Sequence, residues 1–473
     1  MRISNLFLSG ILSLVLVGLG GIAASTQTQD VANIVIGGPG ATRVAIAPCS
    51  ATAEPLRTSC GVVREVLKAD LEFESFQLIP ESLMRALPPV NAAAPNYVDW
   101  KSVGANILVT LEVMQNGTDF AVEARSFSVD GSSPIQSKRY AGRVEPSEPN
   151  TFRAFAHQAA EDILSLASIQ GVTRTRLVFV SDRDAPVRGS SLPPIQRGPR
   201  TTAAVSGPPP ARGRKELYIS DYDGFNVRRV TVNQNISILP AWTPGGRGLA
   251  YTSYKLGAPK VFLSWIFEGR VVPNVTREPE DAQAIAPVVS PDGKRIAYSG
   301  DRGGKFNIWV ANIDGSGARN LTGGQANDTA PCWSPSGLEI AFTSGRSGSA
   351  QLWVMDHEGL NLRRLSRVGN YNDACAWNPS REFAEIAYSS RLEDGGFEIA
   401  VIDLATGQVR QLTTGRGSCE YPSWSPNGRH LVFSCNRGGT WRLTQIDRMG
   451  LRSRTLSVGP GNSVQADWSQ PLR

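Results

Sequence analysis

A small N-terminal α/β domain followed by a six-bladed β-propeller is the fold class this sequence predicts, and three observations predict it. The first is a motif, clearest at Pro331-Cys-Trp-Ser-Pro-Ser-Gly337, whose tryptophan column Trp242, Val289, Trp333, Trp377, Trp424 and Trp468 advances in steps of 47, 44, 44, 47 and 44 residues. A period of that length belongs to propeller blades. The second is a glycine at one corresponding turn of every copy: Gly224, Gly269, Gly315, Gly359, Gly407 and Gly450. The third is that the last copy starts at Trp468 and stops, while three strands without a leading partner, near 176–180, 216–219 and 227–230, stand at the start of the repeat region. A ring closed by the C-terminal strand accounts for both ends and removes the free sheet edge of an open array.

With 473 residues the chain is too long for one ordinary core, and 47 Gly, 31 Pro and only 19% charged residues describe a globular, turn-rich protein. Residues 1–25 read as a secretory signal peptide: Arg2, an apolar run at 11–19, then small residues to Ser25. The run is short for a membrane span, so export to the bacterial periplasm is expected. Six cysteines suit an oxidising compartment without making a disulfide framework. Cys419 and Cys435 flank the Ser425-Pro-Asn-Gly428 turn almost symmetrically and are the best pair. Cys49 with Cys60 is a second candidate, Cys332 with Cys375 a third.

Residues 26–170 form the predicted N-terminal domain. Strands are expected at 31–36, 42–47 and 76–79, then at 105–113, 119–128 and 135–143 with Asn-Gly and Asp-Gly turns between them. One helix starts near Pro55, with Leu56, Val63, Val66 and Leu67 at helical spacing; a second runs from Phe152 to about Ser168. Residues 171–473 form the propeller. In its third blade strand A covers 330–334, the Ser334-Pro-Ser-Gly337 turn leads to strand B at 338–343, strand C is 351–355 and strand D 362–366. Inside the closing blade, residues 182–214 are Pro-rich, lack apolar periodicity and are read as a disordered insertion with a net charge of +4 against +6 for the whole chain. The basic excess therefore sits in one loop, which argues against nucleic-acid binding.

Loops on a rigid ring are where binding residues belong. The D-to-A connections, among them 276–286, 322–329, 367–373 and 413–420, open onto one end of the channel. They supply the candidate partner residues Glu280, Asp281, Asn327, Asp328, Asn372, Asp373 and Glu420. The tryptophan column is assigned to packing, since a ligand platform would not accept Val289 as readily. No Gly-x-Ser-x-Gly nucleophile turn is present, and His157, His357 and His430 are scattered, so neither a catalytic base nor a zinc site is expected. Glu280, Asp281 and Asp301 read as solvated loop carboxylates rather than calcium ligands. No metal and no cofactor is expected.

Three segments together resemble the TolB family of periplasmic propeller proteins of the Tol–Pal system. They are Ala32-Asn-Ile-Val-Ile36 after the leader, Asn96-Tyr-Val-Asp-Trp-Lys101 with Gly104-Ala105, and blades carrying Ser290-Pro-Asp-Gly293 with Asn307-Ile-Trp-Val310. The sequence departs from that pattern at the basic insertion and at Ser380-Arg-Glu-Phe383. The resemblance implies a non-enzymatic scaffold for outer-membrane integrity and cell division. It also implies that Pal binds the propeller and that TolA binds the segment from about 26 to 36, with Asp30, Val31, Asn33 and Val35 as contacts; other outer-membrane proteins are further candidate partners. The alternative is a periplasmic propeller hydrolase or lyase acting in the central channel.

Overall fold

Strict alternation in the strand Arg43–Ile46 divides the N-terminal unit into two cores, with Val44 and Ile46 facing one and Ala45 and Ala47 the other. The computed structural model describes residues 42–471 except 92–93, 132–133, 144–148, 185–212, 303, 325 and 392–394. The expected leader, the strand at 31–36 with Asp30, Val31, Asn33 and Val35, and most of the insertion 182–214 lie outside the described residues. The chain divides into two compact units, the first ending at Ile169 and the second starting at Gln170.

In the first unit the strand order is Gln77–Leu78, Arg43–Ile46, Ile107–Asn116, Asp119–Ser128, Pro134–Arg143; the first three run parallel and the rest form antiparallel hairpins. Helices Arg57–Phe73 and Pro149–Leu166 pack on the Val44 face through Val63, Leu67 and Leu71 and through Phe152, Phe155 and Ile163. His157 of the second helix is buried against Asp70 of the first, Nδ1 to Oδ2 2.7 Å, so this histidine is structural. A helix at Tyr97–Ser102 was not foreseen; its cue is Asn96, whose side chain accepts from the Val98 N–H.

The second unit is a ring of six four-stranded antiparallel sheets. Blades I to V follow one another, with strands A at Ser237–Trp242, Gln283–Val289, Asp328–Trp333, Tyr371–Trp377 and Ser418–Trp424. Blade VI takes strand A from the C-terminus, Ser463–Trp468, and strands B to D from Arg176–Ser181, Glu216–Asp221 and Arg228–Arg229. All six predicted turn glycines adopt positive φ, between 62° and 91°, which only glycine adopts without strain.

Each strand A carries a bulge whose residue has φ near +50°: Leu239, Ala286, Ala330, Ala374, Tyr421 and Gln465. The bulge frees a backbone N–H, which the preceding blade satisfies in all but blade IV. Thr252 accepts from Ala286, Ser299 from Ala330, Ser389 from Tyr421 and Ser434 from Gln465. In blade IV Asp373 accepts from Ala374 and from the hydroxyl of Thr343. Val180 of the closing blade has no hydroxyl to offer Leu239, whose N–H is taken by Gln465 Oε1 instead. The tryptophans serve the same joints: the indole N–H groups of Trp242, Trp333 and Trp424 donate to the carbonyls of Asp467, Val288 and Ala376 in the preceding strand A. Three disulfides are present, Cys49–Cys60, Cys332–Cys375 and Cys419–Cys435, the last between cross-strand neighbours of blade V.

Candidate functional site

The D-to-A loops lie at the end of the channel where strands A begin, and each is pinned from below by the first polar residue of its own strand C. Five residue types, Glu among them twice, do the same job. Glu216 accepts from Thr231 and the Gln234 N–H; Lys260 donates to the carbonyls of Pro279, Glu280 and Ala282. Asn307 accepts from the Gly324 N–H, Gln351 bonds Gly369 O, Ser366 and Asn372, Glu398 accepts from Thr413, and Arg442 donates to the carbonyls of Gly459 and Gly461. A polar face held this way is preorganised, which lowers the ordering cost of binding a partner.

The predicted partner residues separate into two groups on this face. Glu280, Asp281 and Asn327 are exposed, and Asp373 and Glu420 are partly exposed at the mouth of the channel. Asp328 and Asn372 are fully buried, which corrects their assignment as surface residues. They occupy strand-A positions that point into the blade: Asp328 pairs with Arg346 at 2.8 Å and Asn372 is bonded to Gln351 and the carbonyl of Val368. Asp328 belongs to a set of buried acid–arginine pairs, with Glu278–Arg302 and Glu398–Arg437, that lock loop to blade.

Between blades IV and V the mouth is crowded with negative charge. Burial, with the charge of Asp373 added, raises the pKa of Glu420, and burial pushes Tyr421 up to about 12. Beside them opens a cavity of about 370 Å³ lined by Asp182, Lys215, Glu420, Trp441, Asn462 and Gln465. Because the Glu420 pKa in the folded chain lies above that of the unfolded chain, the protonated form favours folding and stability falls as pH rises through that range. Glu420→Gln removes this loss. Its melting temperature is expected to exceed that of the parent at about pH 7 and to converge with it towards about pH 4; an equal gap at both would show that Glu420 is not held against its charge.

At the other end the channel widens into a cavity of about 520 Å³ lined by the tryptophan column and by Pro244, Pro291, Pro335 and Pro379. Its carboxylate is Asp467, which the backbone N–H of Trp242 and the hydroxyl of Ser423 already engage at 2.8 and 2.7 Å. No histidine lines it among the described residues. Sequence reasoning missed Asp467, although the position before the tryptophan is otherwise Ala241, Val288, Cys332, Ala376 and Ser423, and a lone carboxylate in that column was the available signal. Among the described residues no group of three His, Cys, Asp or Glu side chains is placed to hold a metal ion, and no helix is long and apolar enough to cross a membrane.

Comparison with known proteins gives two family matches, to the TolB amino-terminal domain over residues 32–133 and to the TolB beta propeller domain over residues 205–472. A Tol-Pal system protein TolB from Anaeromyxobacter dehalogenans is 30% identical over 312 residues, 65% of this chain and 63% of the relative. A Tol-Pal system protein TolB from Desulfosudis oleivorans is 31% identical over 262 residues, 54% of this chain and 52% of the relative. The matched span is thus between half and two thirds of those relatives' length. The crystal structure of TolB from Acinetobacter baumannii aligns with 93% of this chain and 98% of its own at a TM-score of 0.70 and 22% identity, a likeness of fold.

Proposed function

Since this chain belongs to the TolB family, we propose that it acts as a non-catalytic scaffold of the Tol–Pal system in the periplasm. On this reading the loop face of the propeller grips the lipoprotein Pal, residues 26–36 engage TolA, and the two contacts serve outer-membrane integrity and cell division. The observation that carries the reading is the preorganised polar loop face with carboxylates on its surface. Asp281, Asp373 and Glu420 present negative charge on loops that the strand-C residues hold in place. Rim charges of this kind steer and orient a protein partner, whereas a hydrolase or lyase needs a free base in its cavity.

The test is calorimetric titration of the mature chain with the soluble domain of Pal. Reversing Asp281 and Glu420 to Lys together with Asp373→Asn, which keeps an acceptor oxygen for Thr343 and the Ala374 N–H, is expected to weaken binding about tenfold or more, with the loss growing as salt is lowered. Asp328 is left alone because its loss would break a buried pair. Deleting 26–36 is expected to abolish TolA binding and spare Pal. Undiminished affinity of the triple variant for Pal would move the docking surface off this face.

A further inference from the structure

Strand C of most blades carries an aromatic ring at one register, opposite the third residue of the strand-B core: Tyr218, Phe262, Trp309 and Trp353 in blades VI, I, II and III. Beyond strand B an arginine folds back over that ring, Arg183 at 4.4 Å from Tyr218, Arg302 at 4.0 Å from Trp309 and Arg346 at 5.1 Å from Trp353. Blade IV has Ala400 at this register and Leu392 in the arginine's place in the sequence. Blade V keeps the arginine, Arg437, but replaces the ring by Thr444. The space a tryptophan would fill is left as a cavity of about 530 Å³ between blades IV and V.

The lining of that cavity has a definite chemistry. Arg437 and Arg442 bring two guanidinium groups. Arg437 pairs with Glu398, while Arg442 has only the carbonyls of Gly459 and Gly461, so one positive charge stays uncompensated among the described residues. The hydroxyls of Thr414, Thr440, Thr444, Ser453 and Thr455 line the walls and make no hydrogen bond to the protein among the described residues. Phe433 and Ile446 close the floor. Free hydroxyls both donate and accept, as the vicinal hydroxyls of a sugar do, and a guanidinium takes a carboxylate or phosphate in a two-pronged contact. An apolar floor suits the C–H face of a pyranose ring, and the volume is that of a small-molecule site.

We propose that the cleft between blades IV and V binds an acidic saccharide unit, a sugar bearing a carboxylate or a phosphate. An acidic peptide would satisfy the arginines, but its carboxylates only accept and would leave the row of hydroxyls half used. This cleft adjoins the loop face through Thr414 and Arg442, but its lining includes none of Asp281, Asp373 and Glu420.

Saturation-transfer NMR on the mature chain with glucuronic acid, glucose 6-phosphate, glucose and hexaglutamate tests the proposal. Transfer to one or both acidic sugars is expected, with glucose binding about tenfold more weakly, and the preference between the two acids identifies the anion. Thr444→Trp installs the side chain that blades II and III already accommodate at this register. It is expected to abolish transfer while leaving the melting temperature unchanged or higher. Arg442→Gln, which keeps a donor for the loop carbonyls, is expected to reduce the acidic sugars to the level of glucose and keeps the test decisive if the first variant folds poorly. Silence from both acidic sugars, binding that survives both variants, or hexaglutamate binding as well as the sugars would overturn it.

Discussion

A chain ending at Gly459 is expected to lose the cooperative unfolding transition of its propeller while keeping that of the N-terminal unit. The deletion removes strand A of the closing blade, and with it the ladder Ser463–Trp468 to Arg176–Ser181. It also removes Trp468, buried with its indole N–H on Thr175 at 2.7 Å, and the Ser469 hydroxyl that accepts from Arg176. Losing the indole alone costs about 3–5 kcal/mol. Leu177, Val178 and Phe179, now fully buried, would each lose about 1.5–3 kcal/mol of burial if uncovered. Together these reach the whole stability of an ordinary domain, roughly 5–15 kcal/mol. The strand it leaves behind, Arg176–Ser181, would be a bare apolar edge and a template for aggregation. Differential scanning calorimetry of the truncated and intact chains decides the matter: a propeller transition at an unchanged temperature would mean that the ring does not depend on its closing strand.

That closure was legible in the sequence because its two halves leave complementary signs, a repeat that stops after its first strand and three strands with no leader. The blade period was legible through Trp333, Trp424 and their equivalents, since one bulky residue repeated at one place survives loop variation. The inter-blade joints were not. Thr252, Ser299, Ser389 and Ser434 look like solvent-facing residues of an alternating strand, yet all four are buried and hold a neighbour's bulge. The pins of the loop face were hidden for a different reason. Glu216, Lys260, Asn307, Gln351, Glu398 and Arg442 share a position and a role but span five residue types, because a loop can be held by its N–H and hydroxyl groups or by its carbonyls. Asp328 and Asn372 were read as surface for the same cause: polarity is visible in a sequence, whereas the direction of a side chain at the start of an inner strand is set by the ring. On the candidate face, then, sequence located the loops and their polar residues, and structure decided which of them are free to meet a partner.

Replacing Asp467 with Ala is expected to lower stability by about 3 kcal/mol, and with Asn by less than about 1 kcal/mol. Asp467 stands where the ends of the ring meet and touches both neighbours of the closing blade. One carboxylate oxygen accepts from the Trp242 N–H of blade I, the other from the Ser423 hydroxyl of blade V, whose oxygen in turn accepts from the Trp468 N–H. Alanine leaves a buried N–H and a buried hydroxyl without their acceptor, at about 1–3 kcal/mol each. Asparagine keeps the first bond through its oxygen and offers an N–H to the Ser423 oxygen, so the seam stays closed. Burial raises the Asp467 pKa, with the donors from Trp242, Ser423 and Trp468 pulling it back. The folded chain therefore holds the proton more tightly than the unfolded one, and stability is lost as pH rises from about pH 4 through the raised value. Neither variant carries that loss, so the deficit of each against the parent is expected to shrink by the same amount between about pH 5 and pH 8, with the Ala variant the less stable throughout. Thermal melts of the three proteins across that range read the prediction directly, and an Asn variant as damaged as the Ala variant at every pH would show that the seam depends on the charge itself rather than on the hydrogen bonds it accepts.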